Sequence, residues 1–233
     1  MQRLSVVVVH GSYSEVYCQE FTALMAHVKM KLQQPVLGAY LECTDSSLTD
    51  EIGKFLLQHQ GSETQYLQIL PLFLSPGVHV REDIPEAIAV LQSQFPAVQI
   101  EVLDYLGAGG PLTPFLQPQF GQYPKAKNIL LAHGSRRTGA NQRIEALAQS
   151  LQAKAAYWAT EPSLQDMVAL VVEESISEVC VVPYFLFSGK IPAAIATQIQ
   201  QLQQDYPQIK FHLGQPFGTQ PDCVAAIAQI LQS

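Results

Sequence analysis

Charged residues are scarce in this sequence. Asp, Glu, Lys and Arg make up 14% of its 233 residues, and the formal net charge is −7. Binding to nucleic acid or to an anionic membrane surface depends on clustered cations, and lysine and arginine form no long run here. Apolar stretches are also short, well below the ~20 residues that cross a bilayer. We therefore expect neither a nucleic-acid partner nor a membrane partner.

Cysteine is rare as well. The four cysteines stand alone with no CxxC spacing, which argues against a disulfide framework or a zinc or iron–sulfur site and favours small buried side chains. The first residues lead directly into an apolar run, without the basic segment and cleavage site of a signal peptide. A cytoplasmic location is therefore expected.

Hydrophobic residues, at 48%, are sufficient for a large core, and their pattern repeats. An apolar run over residues 4–9 ends at His10-Gly11-Ser12 and is followed by a helical pattern. A second run over residues 129–132 ends at His133-Gly134-Ser135, 123 positions later, and an amphipathic stretch over 144–155 follows it. Both patterns are typical of a strand, a tight loop and a helix.

Further landmarks recur in the same order, as a duplication requires. Matched pairs of segments are 39–41 with 156–158, 47–50 with 163–166, 70–74 with 182–186, and 85–89 with 192–196. Alternating strands and helices predict parallel sheets covered by helices. We therefore predict an α/β fold of two tandem, pseudo-twofold-related lobes, 1–118 and 119–233, each a parallel sheet flanked by helices.

Two histidines follow predicted strands in the first lobe. His10 comes directly after the first strand, and His79 lies in the loop after a strand predicted over 67–74. Ligands of open parallel sheets bind at the carboxyl ends of the strands, so both imidazoles could face one crevice. Imidazole is a common ligand of borderline divalent metals and titrates near neutral pH. The alternatives are an ordinary turn at His10-Gly11-Ser12 and an ordinary helix start after His79.

One carboxylate follows a third strand. Glu42 lies just beyond an apolar strand predicted over 36–41, where it could accept a proton or hold a metal-bound water. A solvated acid at a strand end is the alternative. His27, His59 and His212 lack comparable surroundings and receive no role.

The second lobe lacks part of this set. Seven residues, 78–84, separate the matched glycine and proline of the first lobe, whereas only Lys190 and Ile191 separate them in the second. The counterpart of His79 is missing, so His133 has no histidine partner. We therefore predict a single active site, in the N-terminal lobe.

The segment from Leu70 to Pro85, the HGS after the first strand and its repeat within the LAHGSR phrase together resemble the sirohydrochlorin chelatases, over nearly the whole chain. The resemblance implies a lyase that inserts a divalent metal into sirohydrochlorin. It implies that His10 and His79 bind the metal and assist deprotonation, with Glu42 as a third catalytic residue. Tetrapyrrole and metal are then substrates, and no tightly bound cofactor is expected.

Iron and cobalt are both metals of this family. The chain shows neither a histidine-rich tract nor an iron–sulfur motif at its end, which favours Fe²⁺ and sirohaem synthesis over a cobaltochelatase of cobalamin synthesis. Phe73 and Leu74 are candidates to hold the ring bent. Candidates to bind the substrate carboxylates are Arg136, Arg137 and Lys190. A monomer with an internal pseudo-dimer is expected.

Two other functions stay open. A phosphotransferase could use a strand-end histidine as nucleophile, but such sites need arginines and none flanks His10. A non-catalytic metal or tetrapyrrole carrier would need the same ligands as an enzyme.

Overall fold

The computed structural model describes residues 2–61, 64–108 and 112–233, and its strands form two four-stranded sheets. The first contains β1 (Gln2–Val9), β2 (Val36–Tyr40), β3 (Gln65–Pro71) and β4 (Gln99–Val102), in the spatial order β2-β1-β3-β4. The second contains β5 (Lys127–Ala132), β6 (Lys154–Tyr157), β7 (Glu178–Pro183) and β8 (Lys210–Leu213), in the order β6-β5-β7-β8. All neighbouring strands are parallel. The predicted fold class is confirmed.

A helix follows each strand. The helices are α1 (Glu15–Leu32), α2 (Leu48–Gln58), α3 (Ile84–Gln94), α4 (Thr113–Gly121), α5 (Gln142–Ser150), α6 (Leu164–Glu173), α7 (Lys190–Asp205) and α8 (Pro221–Gln232). A π-helical turn, His79–Asp83, precedes α3, and a 3₁₀ turn, Phe217–Thr219, precedes α8. Within the described residues, no helix is long and apolar enough to cross a membrane.

The apolar runs form the centres of the sheets because parallel strands are covered on both faces. Val6 to Val9 of β1 are all fully buried, and Val6 and Val8 pack with Ile69 of β3 in one core. In the second repeat, Ile129 packs in the same way with residues of β7. Burial of each such side chain contributes about 1.5–3 kcal/mol relative to exposure.

Helix starts confirm the matching of the repeats. The Ser47 hydroxyl accepts a hydrogen bond from the backbone N–H of Asp50 at 3.1 Å, and Ser163 accepts one from Asp166 at 3.2 Å. Both serines cap the helix that follows the second strand of their repeat.

Several predicted boundaries were wrong. β3 ends at Pro71 instead of 74, because the backbone N–H of Phe73 donates to the Pro71 carbonyl in a tight turn that leaves the ladder. β2 ends at Tyr40, one residue early. The helical pattern through 155 ends at Ser150, since Gln152 adopts a left-handed conformation (φ 53°) and Ala155 belongs to β6.

The chain divides into two compact units. One comprises Met1–Gly110 with Val224–Ser233, and the other comprises Pro111–Cys223. The sequence-based boundary at 118/119 instead cuts within α4, which belongs to the second unit, where Gln119 pairs with the backbone of Gln215 through two hydrogen bonds. Residues 109–111, which precede this boundary, lie outside the described residues.

Strand register in the first unit brings three strand ends to one edge. Val9 of β1 pairs with Tyr40 of β2, and Val8 pairs with Pro71 of β3. The connection after β1 leads to β2 on one side and the connection after β3 leads to β4 on the other, so the direction of the connections reverses between β1 and β3. Such a switch point opens a crevice at the carboxyl ends of the strands.

Candidate metal centre

His10 occupies the end of the central strand. Its Nδ1 lies 3.0 Å from the Gly11 carbonyl oxygen, which can only accept a hydrogen bond. In the neutral imidazole, Nδ1 therefore carries the proton and Nε2 keeps its lone pair. Nε2 faces the Glu42 carboxylate, with 3.8 Å between Nε2 and Oε2.

Glu42 is positioned by its backbone. The N–H groups of Leu41 and Glu42 donate to the carbonyls of Val9 and His10, each at 2.8 Å, so the β1–β2 ladder continues past the strands themselves. This close approach requires Gly11: its φ is +102°, and a Cβ on it would lie 2.0 Å from the Glu42 carbonyl oxygen. The glycine therefore fixes the spacing between His10 and Glu42.

His79 lies in the π-helical turn, not in the loop that the sequence predicts. The turn is wide because the N–H of Ile84 donates to the His79 carbonyl, five residues back. His79 Nδ1 lies 2.5 Å from Asp83 Oδ2 and 3.8 Å from Glu42 Oε1. The half-buried Phe73 ring lies nearby, with 6.3 Å between the ring centroids.

Together, His10, Glu42 and His79 form a cluster with the composition of a metal site. One candidate ligand atom from each lies within 4.8 Å of the others, and within the described part of the chain no other group of three His, Cys, Asp or Glu residues meets this condition. The imidazole rings meet edge to face, with 4.5 Å between centroids. The separation of 3.8 Å between His10 Nε2 and Glu42 Oε2 suits a cation bound at ~2.1 Å from each.

The cluster is open to solvent. The side chains of His10 and Glu42 are 46% and 50% exposed, and that of His79 is 28% exposed. Three protein ligands with an open side are typical of metal sites that act on a substrate, whereas structural sites are closed. The geometry can therefore bind a divalent cation and present it to a large ligand.

A tyrosine is hydrogen-bonded to the turn that follows His10. The Tyr17 phenol is hydrogen-bonded to the backbone of Gly11, and burial raises its pKa to about 12. The phenol is consequently neutral at physiological pH. It serves the turn as a hydrogen-bonding group and not as a base.

The second repeat keeps the backbone and the first histidine of this site and lacks the other two side chains. His133 Nδ1 lies 3.0 Å from the Gly134 carbonyl, and the N–H of Ala159 donates to the His133 carbonyl at 2.9 Å. Ala159 thus occupies the position of Glu42, which settles a comparison that sequence left open. α7 begins directly after Gly189, so the turn that carries His79 has no counterpart. Among the residues that the structure describes, a cluster of three candidate ligands therefore occurs once, in the first unit; its role as the active site stays a prediction.

The other residues singled out from sequence lie elsewhere. His59 Nδ1 bonds to the Phe55 carbonyl at 2.8 Å, His212 stacks on a tyrosine and contacts Glu178, and His27 is exposed. The proposed carboxylate-binding residues are all exposed and belong to the second unit; they are Arg136, Arg137 and Lys190. No observation tests their predicted role.

Asp83, which the structure places beside His79, was not singled out from the sequence. Its spacing of four from His79 was the available signal, since residues four apart on a helix are neighbours. A cavity of about 610 Å³ was also unforeseen. It lies in the second unit, between α5 and β6, and includes none of the metal-cluster residues.

Comparison with known proteins identifies the family of this chain. The CbiX family model matches residues 4–121 and again 127–233. The chain belongs to the CbiX family. The double match also agrees with the two repeats.

Named relatives include chelatases for two metals. The chain is 26% identical over 215 residues to a sirohydrochlorin ferrochelatase of Priestia megaterium, covering 86% of this chain and 79% of that protein. It is 22% identical over 173 residues to a sirohydrochlorin cobaltochelatase of the same organism, covering 67% and 56%. The structure of SirB from Bacillus subtilis with Fe³⁺ matches with a TM-score of 0.84 and 22% identity, over 100% of this chain and 95% of that one. The fold is thus that of a known chelatase.

Proposed function

We propose that this member of the CbiX family inserts a divalent metal into sirohydrochlorin, with Fe²⁺ as the favoured ion, and that His10, Glu42 and His79 perform the insertion. The observation that carries the proposal is the convergence of two imidazoles and one carboxylate, within 4.8 Å, at an exposed strand edge. The names of the relatives supply the substrate class.

The chemistry exchanges one cation for two protons. A free tetrapyrrole carries two pyrrole N–H protons, and both leave as the metal enters, so M²⁺ and the neutral ring give the metallated ring and two H⁺. The two imidazoles hold the ion by nitrogen lone pairs and release it to the ring nitrogens as these deprotonate. Glu42 lies between them, 3.8 Å from each imidazole, and accepts a leaving proton.

The apolar rim of the site suits a macrocycle. Phe73 is half-buried beside His79. Tyr13, three residues after His10, and Val78, directly before His79, are 90% and 41% exposed. Exposed apolar surface in such a position is stabilised when a planar ring covers it. We assign Phe73 and Leu74 to hold the ring in a bent conformation.

Geometry does not select the metal, and Fe²⁺ is favoured because the ferrochelatase relative covers 86% of this chain whereas the cobaltochelatase relative covers 67%. Two nitrogens and one carboxylate bind both Fe²⁺ and Co²⁺, and the relatives carry both names. A cobaltochelatase is therefore the second candidate. A phosphotransferase is disfavoured, because the carboxylates of Glu42 and Asp83 beside the histidines would repel a phosphate.

The test is anaerobic insertion followed by absorbance. Purified protein is mixed with sirohydrochlorin and either Fe²⁺ or Co²⁺, and rates are compared with a protein-free reaction. His10→Ala and His79→Ala should each lower the rate at least ~100-fold, because general acid–base and ligand groups each contribute about 10²–10⁴-fold. Glu42→Gln should lower it ~10-fold or more.

His133→Ala is the matched control, since it removes a histidine from the same backbone turn of the second repeat and should leave the rate within about twofold. Wild-type protein that binds metal and tetrapyrrole yet gives no rate above the protein-free reaction would identify a carrier. Full activity in His10→Ala or His79→Ala would contradict the residue assignment.

A further inference from the structure

One polar contact at the site has no part in the function just proposed. Asp83 Oδ2 lies 2.5 Å from His79 Nδ1, close enough for a hydrogen bond. Glu42 Oε1 is 3.8 Å from the same nitrogen, beyond hydrogen-bonding distance. Asp83 is therefore the hydrogen-bond partner of His79 on that side of the ring.

The contact depends on the wide turn. His79 and Asp83 are the first and last residues of the π-helical segment His79–Asp83, in which the next N–H, that of Ile84, bonds to the His79 carbonyl. π-helical turns are rare in proteins overall, and those that occur are frequently found at functional sites. Asp83 is 38% exposed and His79 28% exposed, so the pair is held at the rim of the site and is not buried in the core.

The second repeat shows what remains when the turn is absent. Between Gly189 and Pro192 only Lys190 and Ile191 occur, so histidine and acid are missing together and the helix α7 starts at once. The first repeat therefore retains the wide turn, the histidine and its carboxylate partner as a set.

An imidazole has one proton to share between two nitrogens when it is neutral. If Nδ1 carries that proton and donates a hydrogen bond to the Asp83 carboxylate, Nε2 keeps its lone pair and can bind the metal. A carboxylate behind a ligating histidine also fixes the orientation of the ring and increases its basicity. His10 reaches the same state by a weaker route, through the Gly11 carbonyl.

We propose that Asp83 is a positioning residue that holds His79 as the Nδ1–H tautomer, so that Nε2 binds the incoming metal. The inference rests on the proposed function for its biological purpose, but its physical content concerns metal binding alone. It assigns a role to an acid that neither contacts the cation nor takes a proton from the tetrapyrrole.

The test uses the full-length, metal-free protein. Two-dimensional ¹H–¹⁵N spectra of the imidazoles report which nitrogen of His79 is protonated, with the resonances assigned from His79→Gln. Wild type should show protonated Nδ1 and unprotonated Nε2, and Asp83→Ala should shift His79 towards a mixture of tautomers. A residue with a purely structural role would leave the tautomer unchanged.

Co²⁺ affinity, measured by calorimetry and by the visible ligand-field bands, gives the second readout. Asp83→Ala should raise the Kd for Co²⁺ ~10–100-fold, the usual loss for a carboxylate behind a metal-binding histidine. Glu82→Ala removes the same charge from the exposed neighbouring position and should change the Kd less than twofold. Asp83→Asn keeps the shape and an acceptor oxygen but not the charge, and should fall between.

An unchanged His79 tautomer with an unchanged Kd in Asp83→Ala would overturn the proposal, as would tighter Co²⁺ binding in that variant, which would mean that Asp83 competes with the metal for Nδ1. Neither readout requires sirohydrochlorin. If the protein failed to insert metal into the macrocycle, the proposed function would fail while this inference would stand or fall on the tautomer and the Kd.

Discussion

Substitution of Gly11 by alanine tests whether the spacing of the two chain segments creates the site. The added Cβ would lie 2.0 Å from the Glu42 carbonyl oxygen, whereas nonbonded contacts are favourable at ~3.5 Å. The turn and the end of β2 must then separate by roughly 1.5 Å, judged from the same contact distance. The φ of +102° adds strain of about 1–2 kcal/mol for any residue with a Cβ.

We expect Gly11→Ala to lower both the free energy of unfolding and the affinity for metal. Strain and the weakened Glu42 to His10 backbone hydrogen bond together should lower the free energy of unfolding by ~2–3 kcal/mol. That corresponds to a fall in Tm of roughly 5–10 °C for a chain of this size. Metal sites tolerate ligand displacements of only ~0.2 Å, so Glu42 should leave the ligand set. The Kd for Co²⁺ should rise at least ~10-fold, or ~1.4 kcal/mol.

Gly134→Ala is the matched control. Gly134 has φ +80°, and a Cβ there would lie 2.6 Å from Thr160 Oγ1 and 2.7 Å from Tyr157 Cβ. Both variants should therefore melt earlier in differential scanning calorimetry, but only Gly11→Ala should lose Co²⁺ affinity in titration calorimetry. Equal losses of affinity, or none in Gly11→Ala, would refute the reasoning.

Two further predictions concern titratable side chains. Because burial raises the pKa of Tyr17 to about 12, the folded state favours the neutral phenol, and the stability this provides is present below pH 10 and lost as pH rises towards 12. In urea titrations, Tyr17→Phe should therefore lose less stability than the wild type between pH 10 and 12. An equal loss in the two proteins would contradict the burial of the phenol. Cys180 and Cys223 are fully buried, and burial raises the pKa of the Cys180 thiol to about 11, whereas Cys18 and Cys43 are half-buried. A thiol reagent such as DTNB should thus label two cysteines in native protein and four in guanidinium chloride; rapid native labelling of all four would be inconsistent with the core.

Much of the fold follows from local pattern. Buried apolar runs end at His10 and His133, and serine caps recur ahead of α2 and α6, so the alternation of strands and helices could be predicted from residues close in sequence. The three proposed site residues could be predicted as neighbours for the same reason, since parallel strands end at a common edge. The structure brings them together, while their chemical roles remain predictions.

Other features depend on contacts or dihedral angles that the pattern does not reveal. α5 ends where Gln152 adopts a left-handed conformation, although the apolar spacing continues to Ala155. The counterpart of Glu42 could not be read from the sequence because the loops after β2 and β6 differ, and only the backbone bond from Ala159 to His133 identifies it. The hydrogen bond between His79 and Asp83 depends on a π turn, which no residue type specifies.

The membership of α4 in the second unit is a long-range effect. Gln119 pairs with Gln215, 96 residues away, and Cys180 of β7 lies against the same helix. Repeat matching assigns each helix to the strands that precede it, whereas the compact unit is set by which buried surfaces complement each other. A boundary drawn from periodicity alone therefore falls inside this helix.

The near-identical backbone around His133 gives this protein a built-in reference histidine. The His133 ring has the same carbonyl contact as the His10 ring. Among the residues that the structure describes, however, no carboxylate forms an ion pair with His133 and no second imidazole packs against it. Differences between the two residues in chemical shift, in rate of acylation by diethyl pyrocarbonate or in response to added cation thus isolate what the neighbours contribute. The two histidines can be compared within one molecule, at the same temperature and ionic strength.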